Sequence, residues 1–301
     1  MVINSNALLY NGGIEIIRYT ICKPGGNDTA LVYGTDYTSN RKKIINNAIM
    51  ARHPNVEQVG FIDLNKKPEL QMAGGEFCGN ATRSAANVYL SAKEGNIEIV
   101  VNRKDIINAG VDCMKNAWCE IPLYYGDDMI TKKEDGIYIV KMNGMISVVI
   151  QENVASKYLE NKDDLKKIGM SFIHKYNLDF SEAVGVMFCE TSSNKLKINP
   201  VVWVKTIDTL FYETACGSGT TAVAMVQTYL EGKSKQMDII QPSGMVIVAN
   251  IIMQNQKISK GFMKGRTRGN YDRILPLWQV NRYGHDRSEK DRFNKWTRQK
   301  F

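Results

Sequence analysis

Two cysteines, Cys78 and Cys216, open alanine-rich apolar stretches in matching terms. The first setting reads Gly74-Gly75-Glu76-Phe77-Cys78-Gly79-Asn80-Ala81-Thr82, and the second Tyr212-Glu213-Thr214-Ala215-Cys216-Gly217-Ser218-Gly219-Thr220. In both, Cys-Gly is followed by a small polar residue, a small residue and Thr. The stretches that follow, 83–90 and 221–230, have the residue types of buried helices, so each thiol is expected at a helix N-terminus. There it meets unpaired N–H groups and the positive end of a dipole. Such a position is expected to depress the thiol pKa and make the thiolate a usable base or nucleophile.

A single activated cysteine would be a nucleophile candidate, whereas two in mirrored settings suit a pair of opposed proton carriers, the chemistry of a racemase. Removing the α-proton of an amino acid without a cofactor needs a base on one face of the carbon and an acid on the other. It also needs stabilisation of the carboxylate as it gains enediolate character. Thiolate and thiol supply the first two, and the backbone N–H groups of Gly79, Asn80, Gly217 and Ser218 would hold the carboxylate between two helix starts. A lone cysteine at a helix start is more often a small buried hydrophobe. The pairing carries the reading, and Cys22, Cys113, Cys119 and Cys189, which lack such a partner, read as structural.

No lysine stands in a recognisable pyridoxal phosphate context, so no cofactor is expected. No Cys-x-x-Cys occurs among the six cysteines and the three histidines are far apart in sequence, so no metal site is expected either.

The elements that must position the thiols read as short strands around one central helix in each half. Strand character appears at 14–20, 29–33, 59–62, 97–101, 105–109 and 117–121, with a helix at 39–50. A polar, turn-rich segment at 125–136 reads as a linker. The scheme then repeats with strands at 137–141, 146–151, 184–189, 201–205, 237–241, 245–252 and 257–265, and a helix at 162–176. Antiparallel or mixed sheets wrapped round a helix follow for each half. The expected organisation is an N-terminal lobe 1–126 with Cys78, a C-terminal lobe 127–278 with Cys216, a cleft between them, and a basic tail 279–301.

At 301 residues with 44% hydrophobic content, the chain has room for one large or two medium domains. No apolar run approaches the roughly 20 residues that span a bilayer, and the start lacks a signal-peptide pattern. A cytoplasmic protein without membrane partners is expected, its cysteines reduced. About half of the formal charge of +8 lies in 282–301, where seven Lys/Arg face three Asp/Glu. The aromatic interleaving of a stacking platform is missing there, so a charged terminal helix or frayed tail is favoured over an RNA-binding arm and no nucleic-acid partner is expected. A homodimer is left open.

Four segments carry a resemblance: Pro24-Gly25-Gly26-Asn27-Asp28, Glu57-Gln58-Val59-Gly60-Phe61, Gly75-Glu76-Phe77-Cys78-Gly79-Asn80-Ala81 and Glu213-Thr214-Ala215-Cys216-Gly217-Ser218-Gly219. In this order they resemble the signature segments of the diaminopimelate epimerase superfamily of cofactor-independent two-cysteine racemases. Within it, Glu57 to Phe61, Glu76 to Thr82 and Gln241-Pro242-Ser243-Gly244 are most similar to the histidine racemases of staphylopine-type metallophore pathways.

The resemblance implies an α+β fold of two pseudo-symmetric lobes, each a β-barrel-like wrap around a central helix. It makes Cys78 and Cys216 the base and acid acting on a free amino acid, and Asn27 a substrate-binding side chain. Gly-Gly-Asn-Asp is equally plain turn chemistry. It also points Glu57 and Glu213 at the substrate ammonium or a basic side chain; a solvated Glu57 and a helix-dipole role for Glu213 are the alternatives.

Departures bear on substrate. The epimerases grip a distal carboxylate with an Arg before the second cysteine, and here Ile207-Asp208-Thr209-Leu210-Phe211-Tyr212 has none. Their Asn-Pro-His segment is replaced by Met145-Ile146-Ser147, and the loop before Cys78 is shortened. A neutral or cationic side chain fits better, which favours L-histidine to D-histidine over diaminopimelate epimerisation or another amino acid.

Two readings from other classes compete. Gly217-Ser218-Gly219-Thr220-Thr221-Ala222 satisfies the G-x-G-x-x-A dinucleotide pattern, but the segment before it is a poor strand. A thiol redox sensor would use the same two cysteines as a reversible pair.

Overall fold

The computed structural model describes residues 8–11, 14–192 and 195–276. The basic tail expected over 279–301 lies outside the described residues. The first part of the chain runs β1 (Leu8–Asn11), β2 (Ile14–Lys23), β3 (Asp28–Tyr33), α1 (Ser39–Arg52), β4 (Val56–Ile62), β5 (Glu69–Met72), α2 (Gly79–Tyr89), β6 (Gly95–Val101), β7 (Asp105–Val111) and β8 (Asn116–Glu120). After β9 (Ile130–Glu134) come β10 (Ile137–Met142), β11 (Met145–Ile150), α3 (Glu152–Leu159), α4 (Leu165–Lys175), β12 (Ala183–Ser192), β13 (Lys195–Val204) and β14 (Thr209–Tyr212). The chain continues through α5 (Gly217–Glu231), β15 (Lys235–Ile240), β16 (Val246–Gln254), β17 (Lys257–Arg266) and β18 (Arg268–Pro276). The fold is α+β, dominated by a mixed sheet.

Strand pairing follows one succession twice. From β2 to β8 consecutive strands pair antiparallel, parallel, antiparallel, parallel, antiparallel, antiparallel. From β10 through β11, β12, β13, β15 and β16 to β17 the order is the same. Parallel neighbours need a crossover: α1 makes the first one and α2 the second, as α3 with α4 and then α5 do later in the chain.

The halves do not form two separate sheets. β17 pairs with β8 and β18 with β2, so the 18 described strands make one hydrogen-bonded network. The physical reason is that each set ends in strands with open N–H and C=O rows, and pairing them with each other satisfies both.

Strands buried on both faces send alternate residues to different cores. In β12, Val184, Val186 and Phe188 pack with Leu165, Phe172 and Ile173 of α4. Its Ala183, Met187 and Cys189 belong to an inner cluster that holds Ala81, Ala85 and Ala86 of α2 and Ala222 to Val226 of α5. β3 divides the same way, Ala30 and Val32 meeting Ile45, Ala48 and Ile49 of α1 while Leu31 faces inward. Thus α1 and α4 cover the outside, and α2 and α5 are enclosed. Truncating one outer-core side chain such as Ile45 to Ala should cost about 2–5 kcal/mol.

Small residues let the two enclosed helices start close together. A Cβ on Gly79 would lie 2.3 Å from Met263 Sδ, and one on Gly217 2.0 Å from Met263 Cε. Both helix starts therefore pack on the same methionine of β17, and neither position admits a larger residue without displacing it.

Three local expectations change. Segment 125–136 is not only a linker: Ile130–Glu134 is strand β9, which lacks alternating hydrophobicity because half of its support comes from backbone pairing with β10. The helix expected at 162–176 begins as a 3-10 turn at Lys162–Asp164 and becomes α-helical at Leu165. Helix α3 was not anticipated, since only Ala155 of its eight residues is buried and its N-cap Gln151 makes no side-chain capping bond.

Candidate active site

Cys78 is the N-cap residue of α2 (φ −126°, ψ 108°) and Cys216 that of α5 (φ −128°, ψ 110°). Each sulfur does what a Ser or Asp oxygen does in an ordinary cap. Cys78 Sγ accepts the Ala81 N–H and Cys216 Sγ the Gly219 N–H, both at 3.3 Å. The threonine four residues on closes the turn, Thr82 Oγ1 donating to the Cys78 carbonyl at 2.8 Å and Thr220 Oγ1 to that of Cys216 at 2.6 Å. Cys-Gly-x-x-Thr is thus a capping pattern, and its repetition gives both thiols one backbone geometry.

A hydrogen-bonded chain leads from the Cys78 sulfur to the carboxyl beside Cys216. Cys78 Sγ donates to Gln58 Oε1 at 2.6 Å, and Gln58 Nε2 donates to Glu213 Oε1 at 3.3 Å. The Glu213 carboxyl stands beside Cys216, its Oε2 buried and without a hydrogen-bond partner among the described residues. Residues from both halves of the sequence therefore meet in one site. Gln58, Glu213, Cys216 and Ser218 line a cavity together with Glu57 and Glu76; its apolar wall includes Val202, Val204 and Phe211.

Buried polar groups fix the frame around it. Asn27 Nδ2 and Asn80 Nδ2 both donate to the Ala215 carbonyl, at 3.0 and 3.1 Å. Arg83, fully buried, donates from Nη1 to the Gly265 carbonyl and from Nη2 to the Pro24 carbonyl, each at 3.0 Å, and from Nη2 to Asn80 Oδ1 at 2.8 Å. Gln241 Oε1 accepts the Cys216 N–H at 3.0 Å while its Nε2 donates to Thr220 Oγ1 at 2.9 Å. Glu57 is not a solvated side chain. Its Oε1 accepts from the Thr214 N–H at 3.2 Å and from the Thr214 hydroxyl at 2.7 Å, which ties β4 to the segment that leads into Cys216.

The expected depression of the thiol pKa values is overturned. Burial pushes both thiols well above the ordinary range, and the N–H bonds at the helix starts offset only part of this. The Glu213 carboxyl beside Cys216 adds to the rise. Local dipole reasoning sees the cap; desolvation depends on everything packed over it. Burial also raises the carboxyls of Glu57 and Glu76 to about 7, and pushes Glu213 up further because Glu57 and Glu76 stand nearby. Arg83 is lowered to about 10 by burial.

The sequence profile of the histidine racemase CntK N-terminal domain matches residues 16–268. The chain belongs to this family. A histidine racemase of Fusobacterium nucleatum subsp. nucleatum is 32% identical over 251 residues, covering 78% of this chain and 89% of that protein. A histidine racemase of Staphylococcus aureus is 24% identical over 267 residues, with 78% and 89% covered. Among solved structures, a hydroxyproline epimerase from Agrobacterium vitis superposes with a TM-score of 0.53 at 10% identity, over 87% of this chain and 93% of that one, which is a likeness of fold. The chain is accordingly an isomerase, an amino-acid racemase by family.

Four residues of this site were not singled out as functional from the sequence: Gln58, Glu76, Arg83 and Gln241. A signal existed for Glu76, since an acid precedes each Cys-Gly, by two residues at Cys78 and by three at Cys216. Arg83 is the one charged residue in a helix of mostly small side chains. The dinucleotide reading of Gly217 to Ala222 loses its ground, because β14, the strand before α5, runs antiparallel to β13, whereas β15 after it runs parallel to β13, so β14, α5 and β15 do not form the βαβ unit that pattern needs.

Proposed function

We propose that the chain inverts the α-carbon of a free amino acid by a two-thiol mechanism without a cofactor, interconverting L-histidine and D-histidine. One observation carries this reading: two cysteines with one backbone geometry cap two buried helices, Gln58 bonds both Cys78 and Glu213, and Gln58, Glu213 and Cys216 line one cavity.

In the forward step the thiolate of one cysteine takes the α-proton, and the electron pair delocalises into the carboxylate as an enediolate. The thiol of the other cysteine returns a proton to the opposite face, so the two sulfurs end with exchanged protonation. The N–H groups of Gly79, Asn80, Gly217 and Ser218 receive the carboxylate, since first-turn N–H groups lack helical partners. Asn27 contributes through Oδ1, which has no hydrogen-bond partner among the described residues once Nδ2 is held by Ala215. Glu213 takes the substrate ammonium, with Glu57 behind it. That pairing neutralises a charge that holds the Cys216 pKa up, so substrate binding itself eases thiolate formation.

The repeated pairing succession supports two pseudo-symmetric lobes, 1–126 and 127–278, with the site between them. Histidine is favoured by the family and by two relatives named for it. Diaminopimelate, the alternative, would bring a second carboxylate into a cavity whose lining already holds three carboxyls and no Lys, Arg or His. Six free cysteines, and no helix among the described residues long and apolar enough to cross a membrane, support action in the cytoplasm. D-Histidine would there serve as a metallophore precursor, as the resemblance to staphylopine-type pathways implies.

The test is chiral chromatography of L-histidine and of meso-diaminopimelate after incubation with exhaustively dialysed protein. Enantiomers have equal free energy, so histidine should run to a one-to-one mixture. Turnover of diaminopimelate in preference to histidine, or no inversion of any amino acid, would defeat the proposal.

A further inference from the structure

Glu76 is used by none of the steps above, yet it is placed as a binding group. It lines the cavity two residues before Cys78, is only 7% exposed, and its Oε2 is buried with no hydrogen-bond partner among the described residues. The carboxyl is packed close against the backbone of Gly74, where an added Cβ would lie 2.5 Å from its Oε2. A buried polar oxygen without a partner is costly unless something completes it. The side chains around it do not: a cation is missing from the lining, and Val204 and Ala73 beside it are apolar. The three carboxyls of the cavity do not form a metal-holding group among the described residues.

We propose that Glu76 reads the substrate's side chain, its Oε2 accepting an N–H from a flat nitrogen heterocycle of the imidazole type lodged against the apolar wall. This rests on the racemase reading and deepens it. Glu57 bonds to Thr214, on the segment that leads into Cys216, and Glu213 precedes that thiol by three residues, so the pair is assigned the ammonium; Glu76, two residues before Cys78, is assigned the far end of the same molecule. An imidazole and a buried carboxyl of pKa about 7 titrate in the same range. One proton can rest on either partner, so the pair can be neutral group by group, whereas a lysine or arginine side chain keeps its own proton and would require the buried carboxyl to ionise.

The experiment follows α-deuterium uptake in deuterium oxide with wild type and with the isosteric Glu76→Gln, using L-histidine, L-leucine, L-glutamine and L-lysine. Wild type should prefer histidine, and Glu76→Gln should lower kcat/KM for histidine by about 100-fold, mainly through KM, while changing the rates on leucine and glutamine by less than about threefold. Glu76→Asp should recover part of the loss. A loss equal on all substrates, or an unchanged preference for histidine, overturns the assignment. A second arm needs no variant: wild type is offered the two ring-N-methylated histidines. At least one should be about 30-fold poorer than histidine, and full activity on both overturns the assignment. If wild type exchanges the α-proton of no amino acid, it is the racemase reading that fails, an outcome distinct from the others.

Discussion

The surroundings of Cys78 and Cys216 share a backbone and differ in their side chains. Both sulfurs cap a helix through the same N–H and are followed by the same threonine bond. Cys78 donates to a neutral amide, Gln58, and lies within the field of the buried Arg83 cation. Cys216 stands beside a carboxyl, Glu213, which raises its pKa, and its own N–H is held by Gln241. Repetition of the capping pattern gives two thiols one backbone geometry, and their side-chain partners differ. Both thiols are pushed well up by burial, and the Glu213 carboxyl raises both, Glu76 adding to the rise at Cys78.

The strongest way to break the comparison is to remove either sulfur. Cys78→Ala and Cys216→Ala should each reduce racemisation by at least about 10³-fold, because each direction requires both an acid and a base. Retention of most activity in one variant would mean that the two sites are not a pair.

A smaller effect, on stability, tests the carboxyl beside Cys78. Glu76 has a folded pKa of about 7 against an ordinary 4.5, so the folded state binds the extra proton between these values. Stability should be unaffected below about pH 4.5, fall as pH rises toward 7 and level off above. The loss from this group is about 3 kcal/mol. Urea unfolding of wild type and Glu76→Gln at pH 4.5 and pH 8 should show the variant's decline to be smaller by roughly that amount. Parallel declines would place Glu76 in a solvated setting.

The smallest expected effect sharpens the asymmetry. Gln58→Leu removes the acceptor for Cys78 and the donor to Glu213, and should lower kcat about tenfold, close to one charge-assisted hydrogen bond. An unchanged rate would show that the chain from Cys78 to Glu213 is not used.

The parts of this site that were legible in the sequence are the local ones. A cap is a relation among residues i, i+3 and i+4, so Cys78 with Ala81 and Thr82, or Cys216 with Gly219 and Thr220, could be read from spacing. The doubling of that pattern pointed to the chemistry. Gln58 could not be read this way, because its partners lie 20 and 155 residues away and depend on how β4 meets the segment before α5. Burial misled for the same reason: a helix dipole is a property of one element, whereas the rise of both thiol pKa values comes from the sheet closed around α2 and α5. Enclosed helices and the longer inward strands were recognisable by their apolar runs, whereas the short β5, three of whose four residues are buried, was not. The edge strand β9 and the mostly exposed α3 were not, since backbone pairing and a short, weakly buried face leave little pattern.

The most direct test of opposed thiols is the isotope content of the first product. L-Histidine is incubated in deuterium oxide with protein pre-equilibrated in it, and at a few per cent conversion the two enantiomers are separated and weighed by mass spectrometry. Two sulfurs on opposite faces require D-histidine to carry one α-deuterium in essentially every molecule while recovered L-histidine carries almost none, with the mirror result from D-histidine. α-Protium retained in the product would show that a single group removes and returns the same hydrogen, and would contradict the two-thiol site.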